Sequence, residues 1–158
     1  MNLFENWLLC SFIMPVKLNY LFILLLFGAG RVTGQTDNTL KVLITGLHSS
    51  YGSVLVSLFN QDNGFPSQSR KAFKKEKINI VDGIASAMIK DIPPGNYAIA
   101  VLHDENNNLE MDTRLFGLPK EGYGFSNNAK GLFGPPSFND ARFAFSPAQI
   151  VKINIRYL

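Results

Sequence analysis

Beyond Gln35, apolar and polar residues alternate in short runs that predict strands, and no stretch keeps a helical period. Leu40, Val42 and Ile44 share one face, and Gly46 ends the run. Val54, Val56 and Leu58 repeat the pattern, and residues 97–102 are apolar on both faces, as in a central strand. At the end of the chain Val151, Ile153, Ile155 and Tyr157 alternate with Lys152, Asn154 and Arg156. Asp82-Gly83, between Ile80 and Ile84, predicts a type I′ hairpin turn joining the two flanking strands, because both central residues must take positive φ. In Ile92-Pro93-Pro94-Gly95-Asn96-Tyr97 two prolines without a ladder donor stop one strand, and Gly95 turns the chain into the next. Together these elements predict an all-β sandwich of about seven strands. Residues 111–140 carry little strand character and predict a long Gly/aromatic loop, a length that is usually functional or packed on itself.

The N-terminal part reads differently. Met14 is a second candidate start: Lys17 supplies a positive charge, Leu21 to Phe27 is unbroken apolar sequence, and Val32-Thr33-Gly34 offers a cleavage site. Residues 1–34 are therefore expected to be a signal peptide and residues 35–158 a single domain. The apolar run is short for a membrane span of ~20 residues, so membrane contact is expected only through this segment before cleavage. Removing Lys17, Arg31 and Glu5 leaves a net charge near +2 of the chain's +3, too mild for a nucleic-acid partner. The single cysteine, Cys10, lies in the expected leader, so the domain has no thiolate chemistry and no disulfide. Export without disulfides suits a bacterial periplasmic or secreted protein.

Candidate chemistry concentrates after the central strand. Asp104, Asn106, Asn108, Glu110 and Asp112 place oxygen-bearing side chains at alternate positions, the spacing by which calcium loops turn ligands inward. Ca2+ is the one cofactor this implies. Leu109 stands where such a loop has its turn glycine, and Leu115 stands where a bidentate Glu would complete the shell. The competing reading is a loop held by Asx-turns. His103, at the junction of strand and loop, is a candidate ligand-binding residue, and with a nearby carboxylate (Asp104 or Glu121) or Ser126 it would suit a hydrolase. His48 reads as a solvated turn residue, and two separated histidines do not predict a zinc site. Tyr123, Phe125, Asn127 and Asn128 join aromatic faces to amides that can stack on and hydrogen-bond a sugar or peptide. Their competing reading is a loop that packs on itself. Arg70, Lys71, Lys74, Lys75 and Lys77 form a basic cluster, suited to an anionic envelope polysaccharide or to guarding a sheet edge.

Gly46-Leu47, Gly52-Ser53-Val54, Leu58-Phe59-Asn60 and Gly64-Phe65-Pro66 resemble the opening of the DUF2141 family of exported bacterial proteins. The resemblance continues through Ile92 to Ile99, His103-Asp104-Glu105-Asn106, Asp112-Thr113, Gly117 to Asn128 and Phe133 to Phe138. It implies a cell-envelope protein of unassigned activity. Family members are similar to Asp-x-Asn-x-Asn-Gly at the acidic loop, from which Leu109 departs. The Pro-Pro-Gly-x-Tyr entry also resembles Ig-like or transthyretin-like sandwiches, an analogy of fold. The expectation is a non-catalytic binding or structural module whose partner is an envelope polysaccharide or protein, with the acidic loop bracing the Gly/aromatic segment.

Overall fold

The computed structural model describes residues 38–158. The expected signal peptide, with both candidate starts, lies outside the described residues. Eight strands form: β1 (Leu40–Thr45), β2 (Ser53–Phe59), β3 (Lys74–Ile78), β4 (Ala85–Ile89), β5 (Asn96–Asp104), β6 (Gly122–Phe125), β7 (Phe143–Ala144) and β8 (Ile150–Asn154). They make a three-stranded sheet, β4-β1-β8, and a five-stranded sheet, β3-β2-β5-β6, with β7 on β5. β1 runs antiparallel to β4 and parallel to β8, while every pair in the larger sheet is antiparallel.

The alternation seen in the sequence explains the packing. Leu40, Val42 and Ile44 of β1, Ala85, Ala87 and Ile89 of β4, and Val151 and Ile153 of β8 face Val54, Val56, Leu58, Tyr97, Ile99 and Val101 across one buried core. Asp82 and Gly83 have φ of 51° and 72°, as a type I′ turn demands. The turn does not join paired strands, however. β3 pairs with β2 and β4 with β1, so it carries the chain from one sheet to the other.

The expectation of a long loop over residues 111–140 needs correction, because Gly122–Phe125 is a strand of the larger sheet. Its glycines face inward. A Cβ on Gly122 would sit 2.4 Å from Tyr157 Cε1, and one on Gly124 would sit 2.7 Å from Ile153 Cγ2. Tyr123 and Phe125 consequently point outward, paired with Leu102 and Ala100 of β5. A strand with glycine on its core face lacks the apolar alternation by which strands are recognised, so its pattern reads as loop.

Part of the outer face is covered. Phe65 packs edge-on against Phe59, Phe125 and Phe138, with ring centroids 5.4, 6.0 and 5.8 Å away. Phe138 opens a one-turn helix, α1 (Phe138–Ala141), whose Ser137 and Asp140 form a reciprocal capping box. Buried Ser126 accepts from Ile99 N at 2.9 Å and donates to the Ala141 carbonyl, tying α1 to β5 where β6 ends.

Candidate functional site

The acidic loop leaves the end of β5 and is closed by two buried carboxylates. Asp104 is fully buried; its Oδ1 accepts from Asn108 N at 3.1 Å and its Oδ2 from Leu109 N at 2.9 Å. Glu121, 3% exposed, accepts from Glu105 N at 3.1 Å and from Asp112 N at 3.0 Å, so one side chain clamps both ends of the loop. Asn106 and Asn108 each accept a backbone amide two residues on, from Asn108 and Glu110, which is Asx-turn geometry. Their carboxamides donate to the two oxygens of Asp112 at 2.8 and 3.0 Å. Thus Asn106, Asn108 and Asp112 meet, Asp104 turns to the backbone, and Glu110 lies exposed. Leu109 takes a φ of 68°, so it adopts the left-handed turn that glycine would supply.

His103 lies on the other face of the same strand. It is fully buried: Nε2 lies 2.9 Å from the Tyr51 carbonyl and Nδ1 lies 2.6 Å from the Tyr157 hydroxyl. A carbonyl only accepts, so Nε2 carries a proton and the neutral ring holds its lone pair at Nδ1. The hydrolase arrangement expected around His103 does not form. Asp104 and Glu121 hold loop amides, and Ser126 is committed to Ile99 and Ala141.

His48 is not simply solvated. Its Nε2 lies 2.7 Å from Glu105 Oε1, and its ring stacks on Tyr157 at 3.8 Å. Ser49 Oγ donates to the same Glu105 oxygen at 3.1 Å. Burial pushes the Glu105 carboxyl up, but the hydrogen bonds from His48 and Ser49 outweigh it and hold the carboxyl below its ordinary value. Burial pushes the Tyr157 phenol up; the His48 amide opposes this, the Glu105 charge reinforces it, and the group stays a proton donor.

The outer face of the larger sheet carries a broad concavity. Leu55, Leu102, Tyr123 and Phe125 contribute to a cavity of about 1180 Å³ between two loops. One loop is a small hairpin over residues 112–120, tied by Arg114 N to Leu118 O at 2.7 Å and Lys120 N to Asp112 O at 2.9 Å. At its tip Phe116 is 94% exposed and held at a φ of 65°. The other loop presents Leu132 and Phe133, 95% and 103% exposed. Leu109 also lines the cavity, which joins the acidic loop to the aromatic segment.

Of the other candidate residues, Asn127 and Asn128 stand away from this groove. Asn127 donates to the Arg142 carbonyl at 2.9 Å, and Asn128 accepts from Asn154 N at 2.9 Å; both brace the turn after β6. Thus Tyr123 and Phe125 come together at the groove, while His103, Asn127 and Asn128 do not join them. In the basic cluster Lys74, Lys75 and Lys77 lie on β3, the sheet edge, and Lys71 donates to Asn63 Oδ1 at 2.8 Å.

His48, Tyr157 and the clamp role of Glu121 escaped sequence reasoning, because each acts through a distant partner. The loop tips did carry a readable signal. Within residues 35–158 the tripeptide Leu-Phe-Gly occurs twice, at residues 115–117 and 132–134, placing large apolar residues beside turn formers.

Fold and site define an all-β, two-sheet protein with an apolar groove on the outer face of its larger sheet. Residues 42–152 match the family model described as "Uncharacterized protein conserved in bacteria (DUF2141)", and the chain belongs to that family. No curated protein and no solved structure matches it.

Proposed function

We propose that this chain is an exported, non-catalytic binding module of the bacterial cell envelope that holds an extended apolar segment of a partner protein in the outer groove. The observation that carries this reading is the pairing of that groove with bare apolar loop tips. Phe116, Leu132 and Phe133 are almost wholly exposed beside it. Contiguous apolar surface of this kind is uncommon on monomeric domains and marks interaction sites. At about 1180 Å³ the groove exceeds the range of compact small-molecule pockets. β2 and β5 are antiparallel, so Arg70, beyond the end of β2, and Glu110, beyond the end of β5, stand at opposite ends of it. An extended segment with opposite charges at its two ends complements that layout.

Export rests on the positively charged, apolar leader pattern of residues 14–34 and on the absence of cysteine from residues 35–158. We read the sandwich as Ig-like or transthyretin-like, on its two facing sheets and its Pro-Pro-Gly-Asn-Tyr strand entry. The test of the groove uses the apolar dye 1-anilinonaphthalene-8-sulfonate. Its fluorescence rises with the wild-type chain and falls with Leu102→Glu and with Phe116→Ser/Phe133→Ser, at unchanged melting temperature. Equal dye binding by wild type and both variants would sink the reading. An anionic polysaccharide on Arg70 to Lys77 is the alternative partner; it would show as salt-sensitive binding that these variants leave intact.

A second reading concerns the acidic loop as a calcium brace for the groove, formed by Asp104, Asn106, Asn108, Glu110 and Asp112. Leu109 at a φ of 68° favours it, because the loop keeps the turn of a calcium loop without the glycine. Millimolar calcium then raises the melting temperature by a few degrees over chelator, and magnesium does not. Identical melts would exclude it.

A further inference from the structure

We infer that His48, His103 and Glu105 form a binding site for a borderline divalent metal ion of the zinc class. The three residues come from different places: a loop after β1, the inner face of β5, and the first residue beyond that strand. One donor atom from each lies within 4.8 Å of both others. The imidazoles of His48 and His103 meet edge to face, with ring centroids 5.9 Å apart. Two imidazoles and one carboxylate are a zinc donor set, leaving a fourth position for water. This set is chemically distinct from the all-oxygen acidic loop, which suits hard cations.

The surroundings prepare the donors. The Tyr51 carbonyl fixes the proton of His103 on Nε2, 2.9 Å away, so the lone pair is directed from Nδ1. Backbone carbonyls orient metal-bound histidines in this way. Ser49 Oγ donates to Glu105 Oε1 at 3.1 Å, a contact that orients the ligand oxygen. His48 Nε2 and Glu105 Oε1 are already 2.7 Å apart. Tetrahedral zinc separates its donors by about 3.3 Å, so this pair opens slightly and the third donor, within 4.8 Å, closes by ångström-scale movement. His48 supplies that movement, because it is 51% exposed on a loop. Tyr157 donates its hydroxyl to His103 Nδ1 and yields that lone pair when the metal enters.

The experiment uses the full chain without a histidine tag, titrated with Zn2+ by calorimetry and with Co2+ by visible absorption. One equivalent binds, the cobalt spectrum is that of a four-coordinate nitrogen/oxygen site, and no thiolate charge-transfer band appears, which excludes Cys10. His48→Ala and Glu105→Gln alter partly exposed side chains and keep the fold. Each weakens binding by at least about tenfold, whereas Asp112→Asn leaves it unchanged. Absence of binding by the wild type, equal binding by His48→Ala, a thiolate band, or loss of binding in Asp112→Asn would each overturn the inference.

Discussion

Tyr157 donates its hydroxyl to His103 Nδ1 at 2.6 Å, joining the end of the chain to the central strand across 54 positions of sequence. The same hydroxyl accepts from His48 N at 3.3 Å. One phenol therefore satisfies a buried imidazole and holds the loop that follows β1. Among the described residues, no buried side-chain polar atom lacks a partner, and this contact is one reason.

Tyr157→Phe removes that hydroxyl and leaves the His103 lone pair buried without a donor. The expected cost is about 1–3 kcal/mol of stability, read from the urea midpoint at unchanged slope. An unshifted midpoint would mean that water or another donor replaces the phenol.

Glu121→Gln replaces one carboxylate oxygen with an amide that cannot accept from a loop N–H. The loop from Glu105 to Asp112 loses one of its two clamped ends, at a cost of roughly 2 kcal/mol. Hydrogen exchange should accelerate at the Glu105 and Asp112 amides and leave the β2–β5 ladder protected. Uniform loss of protection would show that Glu121 supports the whole sandwich.

Leu109→Gly separates backbone strain from groove chemistry. Glycine relieves a left-handed φ of 68°, a gain of ~1 kcal/mol that greater unfolded-chain entropy largely offsets. Stability should stay level or rise slightly, while binding of the apolar dye weakens because Leu109 lines the groove. A marked loss of stability would show that the leucine side chain, rather than the turn, holds the loop.

Stability should also respond to acid through Glu105. Its folded carboxyl titrates below its ordinary value, so the stabilising contribution is complete above the unfolded carboxylate range, near pH 4.3, and is lost as pH falls through the lower folded value. The pair is partly solvated, which keeps the effect below about 1 kcal/mol. Glu105→Gln should flatten this part of the stability-against-pH curve. Superimposable wild-type and variant curves below pH 5 would contradict the assignment.

Much of the architecture can be read from the chain alone, because alternation is a local property. The inward faces of β1, β2, β5 and β8, the Asp82-Gly83 turn and the Asx-rich loop follow from residues close in sequence. β6 does not, since its inner positions are glycines whose value lies only in the approach of Ile153 and Tyr157. The Asp82-Gly83 turn was legible as a turn, but sheet membership depends on which distant strands its neighbours meet.

The candidate sites divide in the same way. Sequence by itself determined the all-β class and the oxygen spacing from Asp104 to Asp112. Only the tertiary structure decided that Tyr123 and Phe125 face outward into a groove, while Asn127 and Asn128 serve as braces. It also decided that His48, apparently an isolated turn residue, meets His103 and Glu105. The physical reason is that a side chain's direction follows from its strand's period, whereas its partners follow from how two sheets close over one core.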